Sequence, residues 1–204
     1  MPIAMTSECR EDFRPGDQDA LIAVDVQKDF LPGGALAVPF GDEVVPALNA
    51  WLRAFTQAGR PVIATRDWHP PNHCSFSAQG GPWPPHCIAG EPGAEFADAL
   101  RLPATAILIS KATTPDRDAY SGFAGTALGA KLAALNVRRV FIGGLATDYC
   151  VLNTVLDARA AGLDVVVLED AIRAVNVNPG DGARALERMK QAGAALRAAA
   201  GAAD

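Results

Sequence analysis

The chain has 204 residues, half of them hydrophobic, and a formal net charge of −5. That is enough apolar material for one sizeable core and too little length for two domains. An acidic balance without a Lys/Arg cluster speaks against nucleic acid or an anionic membrane surface as partner, and leaves small-molecule chemistry as the better fit. No apolar run is long enough to span a bilayer, and the stretch holding Glu8, Arg10, Glu11, Asp12 and Arg14 lacks the apolar segment of a secretory signal. The four cysteines, Cys9, Cys74, Cys87 and Cys150, therefore read as free thiols in a reducing cytoplasm.

In chain order, a polar tail over residues 1–19 precedes an apolar strand at Ala20 to Val26 that holds Asp25 at its carboxyl end. Asp42 to Ala58 carries Val44, Val45, Leu48, Leu52 and Phe55 at helical spacing, with Gly59 placed to close the helix. Pro61 to Thr65 is a second strand, leading into a long Pro/Gly-rich loop. Ala104 to Ser110 is a third strand, with Lys111 directly after it. A helix at Gly125 to Leu135, a strand at Arg138 to Ile142, a helix at Thr147 to Ala161 and a strand at Asp164 to Leu168 follow. Pro179 to Gln191 reads as the last helix and Ala194 to Ala199 as a short sixth strand. This alternation predicts an α/β fold: one doubly wound, Rossmann-like parallel sheet of six strands with helices on both faces. The single domain spans 20–199, and 200–204 is a C-terminal tail.

Asp25, Lys111 and Cys150 end or follow three different strands, so all three should emerge on the carboxyl edge of one sheet, where open parallel sheets bind ligands. Cys150 falls in the first turn of its helix, after the small residues Gly143, Gly144 and Ala146. There the helix dipole and a nearby lysine would favour thiolate and nucleophilic attack, and free backbone N–H groups could hold an oxyanion. Asp25 would move the proton. Taken alone, each residue has a plainer reading: Cys150 as core, Asp25 as a loop cap, Lys111 as a solvated surface charge.

All three histidines, His69, His73 and His86, lie between Asp67 and Cys87 in a region without helical or strand periodicity. Asp67 and His69, two apart at a strand end, could reach one ion together with His86, leaving open positions for water or substrate. A closed zinc site recruiting Cys74 and Cys87 is the competing reading, weakened by the absence of a Cys-x-x-Cys pair. Histidines that simply hydrogen-bond within the loop are a further alternative. Long connections of this kind are usually lids or binding loops.

These residues fall within five segments: Val24-Asp25-Val26-Gln27-Lys28-Asp29-Phe30, Asp67-Trp68-His69, Trp83-Pro84-Pro85-His86-Cys87, Ala119-Tyr120-Ser121-Gly122-Phe123 and Gly144-Leu145-Ala146-Thr147-Asp148-Tyr149-Cys150. In this order they resemble the nicotinamidases, or pyrazinamidases, of the isochorismatase-like cysteine hydrolases, over about Ala20 to Gly193. The resemblance implies hydrolysis of nicotinamide to nicotinate and ammonia in NAD salvage, through a cysteine thioester, with pyrazinamide as a further substrate. It implies Asp25, Lys111 and Cys150 as the triad, a cis peptide between Leu145 and Ala146, and an oxyanion hole from the N–H groups of Ala146 and Cys150. Phe30, Trp83 and Tyr120 match the substrate pocket. Asp67, His69 and His86 match the ligands of one divalent ion (zinc, iron or manganese) that anchors the pyridine nitrogen, and His73 or a water completes its shell. An N-carbamoyl amidohydrolase would share the triad without a need for the metal cluster, and an isochorismate hydrolase would not need Cys150. A metal-binding protein with a decayed site is the non-enzymatic rival. The sequence leaves homo-oligomer formation open.

Overall fold

The computed structural model describes residues 13–197, which form one doubly wound sheet. Its strands are β1 (Asp19–Val24), β2 (Val62–Asp67), β3 (Ile107–Lys111), β4 (Arg139–Leu145), β5 (Asp164–Arg173) and β6 (Ala195–Arg197). All neighbours pair in parallel, in the order β3-β2-β1-β4-β5-β6. β1 is central and buried along its whole length, which is why it reads as a continuous apolar run rather than an alternating one.

The pleat divides the core into two layers. Ala20, Ile22 and Val24 join the layer under α2 (Leu128–Ala134), α3 (Leu152–Ala160) and α4 (Asp181–Gln191), whereas Leu21 joins the layer under α1 (Val44–Gln57). α1 buries the five residues expected from its spacing, together with Ala47 and Trp51. Each of its larger apolar side chains contributes about 1.5–3 kcal/mol on full burial. Gly59, with φ of 65°, ends the helix, and the N–H groups of Gly59 and Arg60 donate to the carbonyls of Thr56 and Phe55.

β2, β3, β4 and β5 run further toward their carboxyl ends than the apolar runs suggest, whereas β1 stops at Val24, two residues short of the expected Val26. Asp67 pairs in register with Lys111, and Val24 with Gly144, so polar and glycine residues extend the ladder where their neighbours satisfy them. Gly144 has φ of 128°, and a Cβ there would collide with the Val24 carbonyl, so only glycine lets β4 lie this close to β1. β5 continues to Arg173 past a register shift opposite Ile142 and Gly144. The helix expected at Thr147 to Ala161 is two elements, a π turn at Thr147–Val151 followed by α3.

At the amino edge, the polar reading of residues 1–19 does not hold for Phe13 and Asp19. Phe13 packs against Trp51 and Phe141 with ring centroids 5.1 and 5.2 Å apart. Asp19 opens β1, and its buried carboxylate is met by Arg139, its register partner on β4, at 2.8 and 2.7 Å and by the Gly16 N–H at 2.7 Å. Cys9, the C-terminal tail at 200–204 and the last residues expected in the sixth strand lie outside the described residues. Among those described, no helix is long and apolar enough to cross a membrane.

Candidate active site

β1 ends at Val24, and the chain turns sharply at Asp25, whose φ is 48°. Lys111 is the last residue of β3, and Cys150 lies in the π turn that follows β4. The turn is closed by the Val151 N–H donating to the Ala146 carbonyl five residues back, a pattern that recurs at functional sites. Asp148 fixes its far side by accepting the N–H groups of Val175 and Asn176 at 2.9 and 2.8 Å.

Asp25, Lys111 and Cys150 are all buried and meet at the carboxyl edge. Lys111 Nζ donates to Asp67 Oδ1 at 2.5 Å, to the Ala119 carbonyl at 3.0 Å and to Cys150 Sγ at 3.5 Å. Asp25 Oδ2 lies 2.9 Å from the same nitrogen as an ion pair, but no hydrogen-bond donor is aligned with it. Asp25 Oδ1 accepts from Thr65 Oγ1 at 2.6 Å. The acceptor atoms of Asp25, Asp67 and Cys150 come within 4.8 Å of one another. That grouping is not a second metal site, because the Lys111 ammonium already stands among its atoms.

Burial sets the proton affinities here. It raises the Asp25 carboxyl above the ordinary range in spite of Lys111. It also pushes the Cys150 thiol well above its ordinary value, with Lys111 pulling down and Asp25 and Asp67 pushing up. Lys111 loses solvation, but the two carboxylates outweigh that loss and hold its charge. Burial and two carboxylates thus oppose the thiolate that the lysine and helix dipole were expected to favour, which gives weight to a base beside the thiol.

Asp67, His69 and His86 are buried with potential ligand atoms within 4.8 Å of one another. His69 Nδ1 lies 3.2 Å from the Ala112 carbonyl and His86 Nδ1 2.8 Å from the Pro84 carbonyl. Carbonyls only accept, so each Nδ1 carries a hydrogen, and in the neutral ring Nε2 keeps its lone pair for a cation. Burial lowers the His86 pKa, favouring the neutral form that binds metal. Burial works against the Asp67 charge, but the Lys111 ammonium beside it holds its pKa below the ordinary value. Two imidazoles and one carboxylate suit a zinc, iron or manganese ion.

His73 falls outside this cluster. It stacks on His69 at 4.2 Å, but its Nδ1 pairs with Ser75 Oγ at 2.7 Å and its Nε2 with the Arg117 carbonyl at 3.1 Å. Both ring nitrogens are thus engaged. Among the described residues neither Cys74 nor Cys87 joins a ligand cluster, which removes the ground for a closed zinc site.

A pocket of about 480 Å³, mouth included, opens over both groups. Cys150, Ala146, Asp67, His69 and His86 line it, with Asp25 and Lys111 behind. Phe30, Trp83 and Tyr120 form walls of this pocket, and the Trp83 indole N–H donates to the Tyr120 hydroxyl at 3.0 Å. Tyr149, Leu36, Val38 and Val175 are walls that the sequence reading missed. Tyr149 was legible as the neighbour of Cys150, and its ring meets Trp83 and Tyr120 at 5.2 and 5.5 Å. The peptide from Leu145 to Ala146 is cis.

Fold and pocket together fit an amidohydrolase built on a doubly wound parallel sheet. The Isochorismatase domain matches residues 19–200, and the chain belongs to that family. Nicotinamidase of Escherichia coli strain K12 is 40% identical over 198 residues, covering 87% of this chain and 93% of its own. The crystal structure of a pyrazinamidase of Pyrococcus horikoshii in complex with zinc superposes with a TM-score of 0.85 at 51% identity, covering 89% of this chain and 99% of that one. PnC1 from L. infantum, in complex with nicotinate, gives 0.84 at 38% identity over 91% and 94% of the two chains.

Proposed function

We propose that the chain is an amidohydrolase that converts nicotinamide to nicotinate and ammonia, and pyrazinamide to pyrazinoate. The observation that carries this reading is the single pocket shared by Cys150 and the Asp67, His69 and His86 cluster, with Asp25 and Lys111 buried against the thiol. Relatives named for this activity support the same substrate class.

Cys150 Sγ attacks the carboxamide carbon as its proton passes to Asp25, whose raised proton affinity and unaligned Oδ2 suit it to accept. The N–H groups of Ala146 and Cys150 stabilise the oxyanion, at about 3 kcal/mol per donor. Asp25 returns the proton to the amide nitrogen, the C–N bond breaks and ammonia leaves a thioester. Asp25 then takes a proton from water, the resulting hydroxide attacks the thioester, and nicotinate departs as the sulfur recovers the proton. Lys111 holds Asp25 and the sulfur together and balances their charge. Phe30, Trp83 and Tyr120 flank the ring. Asp67, His69 and His86 would hold a divalent ion, which would supply a Lewis-acid anchor for the pyridine nitrogen. Ammonia release from nicotinamide by the purified protein tests the reading, and its absence in zinc-supplemented protein would overturn it.

A further inference from the structure

Two side chains just beyond β1 do no chemistry in this scheme, yet both are bonded to the segments that carry the candidate metal ligands. Gln27 is fully buried and does not line the pocket. Its Oε1 accepts the Asp67 N–H at 2.8 Å, and its Nε2 donates to the Asp67 carbonyl at 2.8 Å and the Ala94 carbonyl at 2.9 Å. A carboxamide has the acceptor and paired donors this requires. β1 leaves the sheet at Asp25, and the Gln27 side chain takes its place beside the last residue of β2. Asp29 acts on the other segment: its Oδ2 accepts the Cys87 N–H at 2.7 Å, which holds the peptide bond joining His86 to Cys87. Gly93 seats this carboxylate, and a Cβ there would collide with it.

We infer that Gln27 and Asp29 are positioning residues that set the separation of Asp67 and His86, and with it the affinity and geometry of the metal site. This rests on the metal reading above, extending it to residues that touch neither ion nor substrate. Metal-free protein titrated with cobalt(II) alone provides the test, read by the dissociation constant and the visible d–d bands, which report coordination geometry. Gln27→Glu keeps the size but turns an oxygen toward two carbonyls, and Asp29→Asn removes the charge at a partly exposed site. Each is expected to weaken cobalt binding by roughly 10–100-fold and to alter the bands. Lys28→Ala, between them but paired at the surface with Glu95 and Asp98, is expected to leave both unchanged. If Gln27→Glu does not fold, Asp29→Asn decides. Wild-type affinity and bands in the folded variants would overturn the inference while leaving the metal reading intact. Wild-type protein that takes up no cobalt would overturn both.

Discussion

β1 has an aspartate at its start and another just past its end, and the sheet treats them in opposite ways. Asp19 is buried, but Arg139 and the Gly16 N–H outweigh the cost of burial and lower its pKa. Asp25 is buried with Lys111 nearby, yet desolvation prevails and its pKa rises. Asp19 meets a guanidinium fork and a backbone donor, whereas Asp25 keeps one oxygen without an aligned donor. Supplying every hydrogen bond makes a carboxylate structural, and withholding one prepares it to carry a proton. The carboxyl edge of this sheet is arranged for reactivity and the amino edge for cohesion.

Substitutions at the two edges should therefore separate rate from stability. The largest effect is expected at the sulfur: Cys150→Ala should lower ammonia release by about 10⁴-fold or more, while Cys74→Ala and Cys87→Ala retain most activity. Comparable losses at all three would remove the distinction. Asp25→Asn should lower kcat by about 10²–10⁴-fold, with a melting temperature no lower than wild type, because it deletes a carboxylate whose burial is incompletely compensated. A marked drop in Tm would make Asp25 a second Asp19.

Benzamide, which lacks the ring nitrogen, should be worse than nicotinamide in kcat/KM by about 10²-fold, and chelation should narrow that gap as well as reduce activity. Equal rates in metal-replete protein would leave the Asp67, His69 and His86 cluster outside substrate positioning. The smallest effect belongs to the amino edge. Asp19→Asn should cost about 1 kcal/mol in a denaturant melt with kcat/KM unchanged. The folded-state pKa of Asp19 lies below its ordinary 3.8, so its contribution is present above that pH and is lost as pH falls through the folded value. The melting difference between the variant and wild type should therefore vanish in acid.

The meeting of Asp25, Lys111 and Cys150 was legible because strand and helix alternate cleanly, and alternation alone sends the ends of β1, β3 and β4 to one edge. Strand limits were harder to read. Asp67, Lys111 and Gly144 are unlike strand interiors in isolation and become so only beside their register partners. The π turn at Cys150 has no spacing signature, since one bond from residue i+5 to residue i changes no apolar period. Leu36, Val38 and Val175 line the pocket from loops, where periodicity is silent. The engagement of both His73 nitrogens depends on the Arg117 carbonyl, 44 residues away, which local sequence could not have indicated. The upward push on Cys150 was not legible, because a lysine is visible in sequence, whereas the dryness around the thiol is not.

An ammonium group has three hydrogens, and Lys111 directs them to Asp67, the Ala119 carbonyl and Cys150. Asp25 Oδ2 stands 2.9 Å from the same nitrogen as an ion pair, outside the alignment of those three bonds. The electrostatic pull and the aligned hydrogen bond, which arrive together at Asp67, are separated at Asp25. Capacity therefore matters as much as charge at this position. An arginine would bring the same charge with five donors, enough to cap the oxygen proposed to take the proton from sulfur.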